Sequence, residues 1–210
     1  MTTNGNIQNF VSYVKRQCVS NGIKFKKVTK PNITLPGGDV VAGYFTDSPK
    51  PIIAVAMNQQ TNGWLTTLVH EFSHAEQFLE HDPTYAGRYG NTTADDIIKK
   101  WMQGHDYEEA TIDACLDIQK KCELNCERRA IKNIKKFDLP LDTMYYAQVA
   151  SSYIHYFNYM KMTRRWNPPL NKFPSEVIEI IQEMPSNLRG HYKKMSRSMI
   201  KLYDTYLGYC

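Results

Sequence analysis

Leu68-Val69-His70-Glu71-Phe72-Ser73-His74-Ala75-Glu76-Gln77 is the stretch around which the rest of the chain is organised. Advancing by about 100° per residue puts Trp64, Leu65, Leu68, Phe72, Ala75 and Leu79 on one apolar stripe. His70 and His74 fall on the opposite side, with Thr67, Gln77 and His81. A helix of this pattern packs its stripe against a sheet and leaves its polar face as the floor of a cleft. Residues four apart stack on one helical face, so the two imidazoles can converge on one metal ion. Glu71 falls at the edge between the two faces, where a carboxylate can reach a water beside the metal without being a ligand itself.

Working outward, Ile7, Phe10, Val11, Val14 and Cys18 recur at helical spacing between about Asn6 and Ser20, and Asn21-Gly22 supplies the stop. Three short strands are predicted over residues 23–28, 40–45 and 52–57; the turns Pro36-Gly37-Gly38-Asp39 and Ser48-Pro49-Lys50-Pro51 precede the last two. From about Asn62 onward helical patterns dominate, over 63–81, 94–103, 107–137, 141–163, 175–183 and 187–207. The fold class is therefore α+β, a small N-terminal sheet with a larger all-helical C-terminal part. No repeat or Pro/Gly/Ser linker interrupts the chain. The expectation is one compact domain over 1–210: helix plus small sheet (1–62), metal-site helices (63–137) and a helical extension with a basic tail (138–210).

At 210 residues, 42% of them hydrophobic and 22% charged, the chain can bury a real core and is neither disordered nor dependent on disulfides. Its longest apolar run, Ile52 to Met57, is far short of the roughly 20 residues that span a bilayer, and no basic-then-apolar leader opens it. Its five cysteines are an odd number with no framework spacing, so the expected compartment is the reducing cytoplasm and no membrane partner is expected. The net charge of +5 is concentrated in residues 185–210, where Arg189, Lys193, Lys194, Arg197 and Lys201 face only Asp204. With Tyr192, Tyr203, Tyr206 and Tyr209 among them, these cations form a possible surface for nucleic acid or an acidic partner; a plain solvated helix is the simpler reading. No phosphate-cradling glycine motif is present, so nucleotide chemistry is not supported.

Catalytic zinc takes three protein ligands and leaves a position for water. The chain does not supply the third by turning back after His74, because Gln77 stands where a glycine would release the helix and Glu80 where a further histidine would follow. The ligand must come from a later segment. Glu123 falls amid Ile112, Leu116, Cys126 and Ala130, on the small, apolar face of the 107–137 helix, where a carboxylate is costly to bury unless a cation receives it. Glu127, one turn on, suits a hydrogen bond to a ligand imidazole. Glu127, Glu109, which closes a capping-box-like start at Asp106, and Asp95 stay open as alternatives. Cys115, Cys122 and Cys126 share a face of that helix and read as small hydrophobes that pack it.

His70-Glu71-Phe72-Ser73-His74 followed by Glu123-Leu124-Asn125-Cys126-Glu127-Arg128-Arg129-Ala130 resembles the gluzincin group of zinc metallopeptidases, in which H-E-x-x-H on one helix is completed by E-x-x-A-[D/N] on a later one. Over about 65–165 the chain also looks like uncharacterised phage-encoded metallopeptidases. The order helix, three strands, helix is similar to the minimal zincin core. The resemblance implies Zn2+ held by His70, His74 and Glu123, a protein or peptide substrate, and either a host-cytoplasmic or a virion-associated location. Cys126 and Glu127 stand where the family has Ala and Asp or Asn. Glu71 would take a proton from water and pass it to the leaving amine. An oxyanion donor is sought among Tyr145, Tyr146, Tyr153, Tyr156 and His155, with Tyr153 preferred. The competing expectation is a binding or assembly protein in which a closed zinc site only holds helices together.

Overall fold

The computed structural model describes residues 3–85, 87–190 and 192–208. The architecture is α+β, with seven α-helices and three small sheets among the described residues. By its contacts the chain falls into two compact units. One compact unit comprises Met1–Tyr85 with Arg128–Leu141, the other Ala86–Glu127 with Asp142–Cys210.

The first unit opens with α1 (Thr3–Ser20), which buries Ile7, Phe10, Val11, Val14 and Cys18, the residues its periodicity selects. Its stop is a Schellman motif. Gly22 takes φ +67° while its N–H reaches Val19 O at 3.3 Å and that of Ile23 reaches Cys18 O at 2.8 Å. The main sheet has the order β1 (Lys24–Val28), β5 (Ile52–Ala56), β4 (Gly43–Thr46), with β1 parallel and β4 antiparallel to the central strand. Central Ile52-Ile53-Ala54-Val55-Ala56 is a continuous apolar run because Ile53–Ala56 is buried on both faces. The strand expected over 40–45 is two: β3 (Val40–Val41) turns back on β2 (Ile33–Thr34), and β4 joins the sheet. The break falls at Ala42, whose carbonyl accepts from Ala56 N at 2.8 Å.

The chain enters α2 (Thr61–Leu79) four residues after β5, and this helix packs on β4 and β5. Gly43 permits the close approach: a Cβ there would lie 2.5 Å from Thr67 Cγ2 and 2.8 Å from Ala54 O, with Glu71 Cγ at 3.5 Å. Phe10 packs between Phe72 and Phe137, ring centroids 6.1 and 5.2 Å away.

The second unit begins with a hairpin not foreseen in the sequence, β6 (Arg88–Tyr89) and β7 (Thr92–Thr93), whose strands are too short to show alternation. Helix α3 (Ala94–Met102) is capped by Thr93 and α5 (Thr143–Thr163) by Asp142. Helix α4 (Glu109–Lys136) is uninterrupted, its first part in this unit and Arg128–Lys136 in the other. The core of this unit has two parts: Ala94, Ile97, Ile98, Ile112, Cys115, Leu116, Phe157 and Met160, and then Tyr156, Tyr159, Val177, Ile180, Met184, Tyr203 and Leu207. The helix expected over 175–183 is a 3-10 turn (Pro174–Glu176) followed by α6 (Ile178–Gln182). That expected over 187–207 shortens to α7 (Arg197–Leu207), capped by Ser196, with Tyr192 before it at φ +47°. Of the tail tyrosines, Tyr192 and Tyr203 are buried, Tyr206 packs against the second cluster, and Tyr209 lies outside the described residues. Arg189, Lys193, Lys194, Arg197 and Lys201 are exposed.

Candidate metal centre

Of the apolar stripe of α2, Leu65, Leu68, Phe72 and Ala75 are buried and Trp64 and Leu79 half-buried; His70, Glu71 and His74 are half-buried too. The two imidazoles meet edge to face, ring centroids 4.7 Å apart and planes at 88°. Ser73, between them and buried, donates its hydroxyl to Val69 O at 2.8 Å, so it brings no unmet polar group into the core. Gln77, expected on the polar face, is fully buried. Its Oε1 lies 2.8 Å from His74 Nδ1 and its Nε2 3.3 Å from Thr84 Oγ1.

Within the same unit, the end of α4 is tied to the end of α2. Arg129 bridges Glu80 Oε2 and Asp82 Oδ2, each at 2.7 Å, and Asn133 donates to Glu76 Oε2 at 2.8 Å. Burial raises the Glu76 carboxyl above the ordinary carboxylate range, against the opposing pull of the Asn133 bond and the Arg129 charge.

Ligand atoms of His70, His74 and Cys126 lie within 4.8 Å of one another, and so do those of His70, Glu123 and Glu127. This partly buried His/Glu/Cys group can hold a metal ion. His70 belongs to both sets, and the trio His70, His74 and Glu123 expected from the sequence draws on both. A mixed nitrogen, oxygen and sulfur donor set matches a borderline-soft ion of the zinc type better than calcium or magnesium, which take oxygen alone. Glu127 is buried and receives the Tyr146 hydroxyl at 2.6 Å. Burial first, then the charge of Glu127, holds the Tyr146 phenol well above its ordinary pKa, so it remains a donor.

Glu109, Asp95 and His81 belong to neither donor set. Glu109 is exposed and pairs with Lys161 at 2.9 Å, and Asp95 pairs with Lys99 at 2.7 Å. His81 is exposed beyond the end of α2 at φ +51°. Tyr153 sets its ring edge-on to Phe157 and Trp166, 5.5 and 6.4 Å between centroids, and Tyr156 donates to Trp166 O at 2.6 Å. Tyr146 is the tyrosine expected at the site whose hydroxyl is seen to meet Glu127. Nothing in its spacing set it apart from its neighbours. Cys126 adds a donor where the sequence suggested packing alone, and Cys115 does pack in the apolar cluster.

His155 is buried, its ring 4.8 Å from that of Tyr192, and its Nδ1 has no hydrogen-bond partner among the described residues. Burial, helped by the nearby Lys120 charge, presses its pKa from 6.5 down to about 4. The unfolded chain therefore binds a proton that the folded one refuses. The penalty is absent above pH 6.5, grows as pH falls through that value and levels off below about 4. It amounts to about 3 kcal/mol at its full extent. Urea unfolding at pH 7.5 and 4.5 is expected to show this loss, and His155→Gln to flatten it; an unchanged pH dependence in the variant would count against the assignment.

Among the described residues no helix is long and apolar enough to cross a membrane. No family model, curated protein or solved structure matches the chain.

Proposed function

We propose that this protein is a zinc metallopeptidase built on a minimal zincin-like core of α1, the three-stranded sheet and α2. Its ligands are His70, His74 and Glu123, and its substrate is a protein or peptide. The observation that carries the proposal is the convergence of donor atoms from α2 and α4 on His70, with Glu71, the next residue, outside both donor sets. Zinc, when bound, acidifies a water and polarises an amide carbonyl. Glu71 would take a proton from water as the water oxygen bonds to the amide carbon, and would deliver that proton to the amine as the C–N bond breaks. Gln77 holds His74 by its Nδ1 side, and Tyr146 holds Glu127.

One observation favours a second reading, a zinc site that only ties helices together. Among the described residues five offer donors, more than the three that an open catalytic site uses, and Cys126 and Glu127 could close the coordination shell. The two readings are separated by measuring zinc in the purified protein together with hydrolysis of a mixed peptide pool. Hydrolysis lost on chelation and regained with zinc supports the peptidase. A folded, zinc-loaded protein that cleaves no amide, and that unfolds on chelation, overturns it in favour of the structural site.

A further inference from the structure

We infer that the Asp82–Arg129 ion pair, acting through Thr84 and Gln77, fixes the imidazole of His74 as its Nδ1–H tautomer and so turns Nε2 toward the metal. The consequence for metal binding rests on the reading above; the tautomer does not.

The argument runs along one chain of contacts inside the first unit. Asp82 Oδ2 receives Arg129 at 2.7 Å, and Oδ1 receives the Thr84 backbone N–H at 2.8 Å and the Thr84 hydroxyl at 2.6 Å. A carboxylate with a guanidinium beside it and these donors aimed at it is ionised and only accepts. Burial alone would raise its pKa, but the bonds from Thr84 and Arg129 outweigh this and hold it below the ordinary aspartate value.

Thr84 has one hydroxyl proton, and it is committed to Asp82. Along the 3.3 Å line to Gln77 its oxygen can therefore only accept, so the amide end facing it is the NH2. The carbonyl oxygen of Gln77 then faces His74 Nδ1 at 2.8 Å. An acceptor at that distance requires an N–H, so Nδ1 carries the proton and Nε2 keeps its lone pair. Gln77 is fully buried, and a reversed amide would set its NH2 against Nδ1 and its carbonyl against an oxygen with no proton to offer. Orientation thus passes from a charged pair beyond the end of α2 to a histidine two turns back along it. Gln77, Thr84 and Asp82 are positioning residues, not catalytic ones.

The test uses Thr84→Val, which removes the hydroxyl at nearly constant volume, and Thr84→Ser, which keeps it. In metal-free protein labelled with 15N-histidine, the His74 signals are identified by their loss in His74→Gln. Long-range 1H–15N spectra are expected to show the Nδ1–H tautomer in wild type and Thr84→Ser, and a mixture in Thr84→Val. Zinc titrated against a chelating indicator should bind Thr84→Val about 10- to 100-fold more weakly and Thr84→Ser about as well as wild type. An Nε2–H tautomer in the wild type overturns the inference, and so does a Thr84→Val protein matching the wild type in both measurements. If Thr84→Val fails to fold, Thr84→Ala, which also removes the hydroxyl, is measured in its place with the same expectations. A wild type that takes up no zinc overturns the metal reading instead, and the tautomer spectra still decide the relay.

Discussion

Replacing His70 with alanine is expected to weaken zinc binding by about 10^2- to 10^3-fold, more than the loss of any other single donor. Structural zinc sites with four ligands bind with about 10–16 kcal/mol, or about 3 kcal/mol per donor. His70 is the only residue in both the His70/His74/Cys126 set and the His70/Glu123/Glu127 set. Its removal leaves neither complete. Removing His74 leaves the second set intact and removing Glu123 leaves the first, so an ion shifting within the group should lose about tenfold in each. Competition titration of zinc across the three variants distinguishes the possibilities. Equal losses would mean that the ion is held by His70, His74 and Glu123 with no fallback to either overlapping set, and wild-type affinity in His70→Ala would sink the site.

Glu71→Gln is expected to keep zinc and lower kcat by about 10^2- to 10^4-fold, the usual contribution of a positioned general base. Glutamine preserves size and hydrogen bonding but cannot take a proton. Glu71 belongs to neither donor set, so metal content and unfolding stability should stay at the wild-type values. That separation makes the variant informative, because a fall in kcat without loss of metal cannot be assigned to a damaged site. Hydrolysis at the wild-type rate by a zinc-loaded Glu71→Gln protein would remove Glu71 from the chemistry.

Much of the architecture could be read along the chain because the responsible physics is local. Periodic burial located α1 and α2, whose apolar stripes are buried save for the half-buried Trp64 and Leu79 at the ends of the second, and Asn21-Gly22 located the stop that the Schellman bonds complete. Where several local solutions were open, the reading slipped. Residues 187–196 carry helix-compatible spacing, yet Tyr192 leaves the helical region to place its ring against His155 and its hydroxyl against Ser151. Val40–Val41 and Gly43–Thr46 look like one strand until their pairing partners are known, since a β-strand declares its neighbour only through tertiary hydrogen bonds.

At the candidate site the division is equally physical. Spacing alone put His70 and His74 on one face and singled out Glu123 as a costly carboxylate, because both follow from 3.6 residues per turn and from desolvation. Spacing could not say what α4 meets. Cys126 reads first as a packing residue, and only its place in a donor set with two imidazoles adds the second role. Gln77 reads as solvated, but the turn after α2 brings Thr84 and Asp82 back over it and buries it between a histidine and an ion pair. The chain's own order thus determined the helices and the face of α2 that carries His70 and His74. Which donor atoms come within reach of one another, and which side of His74 meets Gln77, were decided by tertiary structure, because both depend on distances of a few ångströms between side chains that spacing alone does not fix.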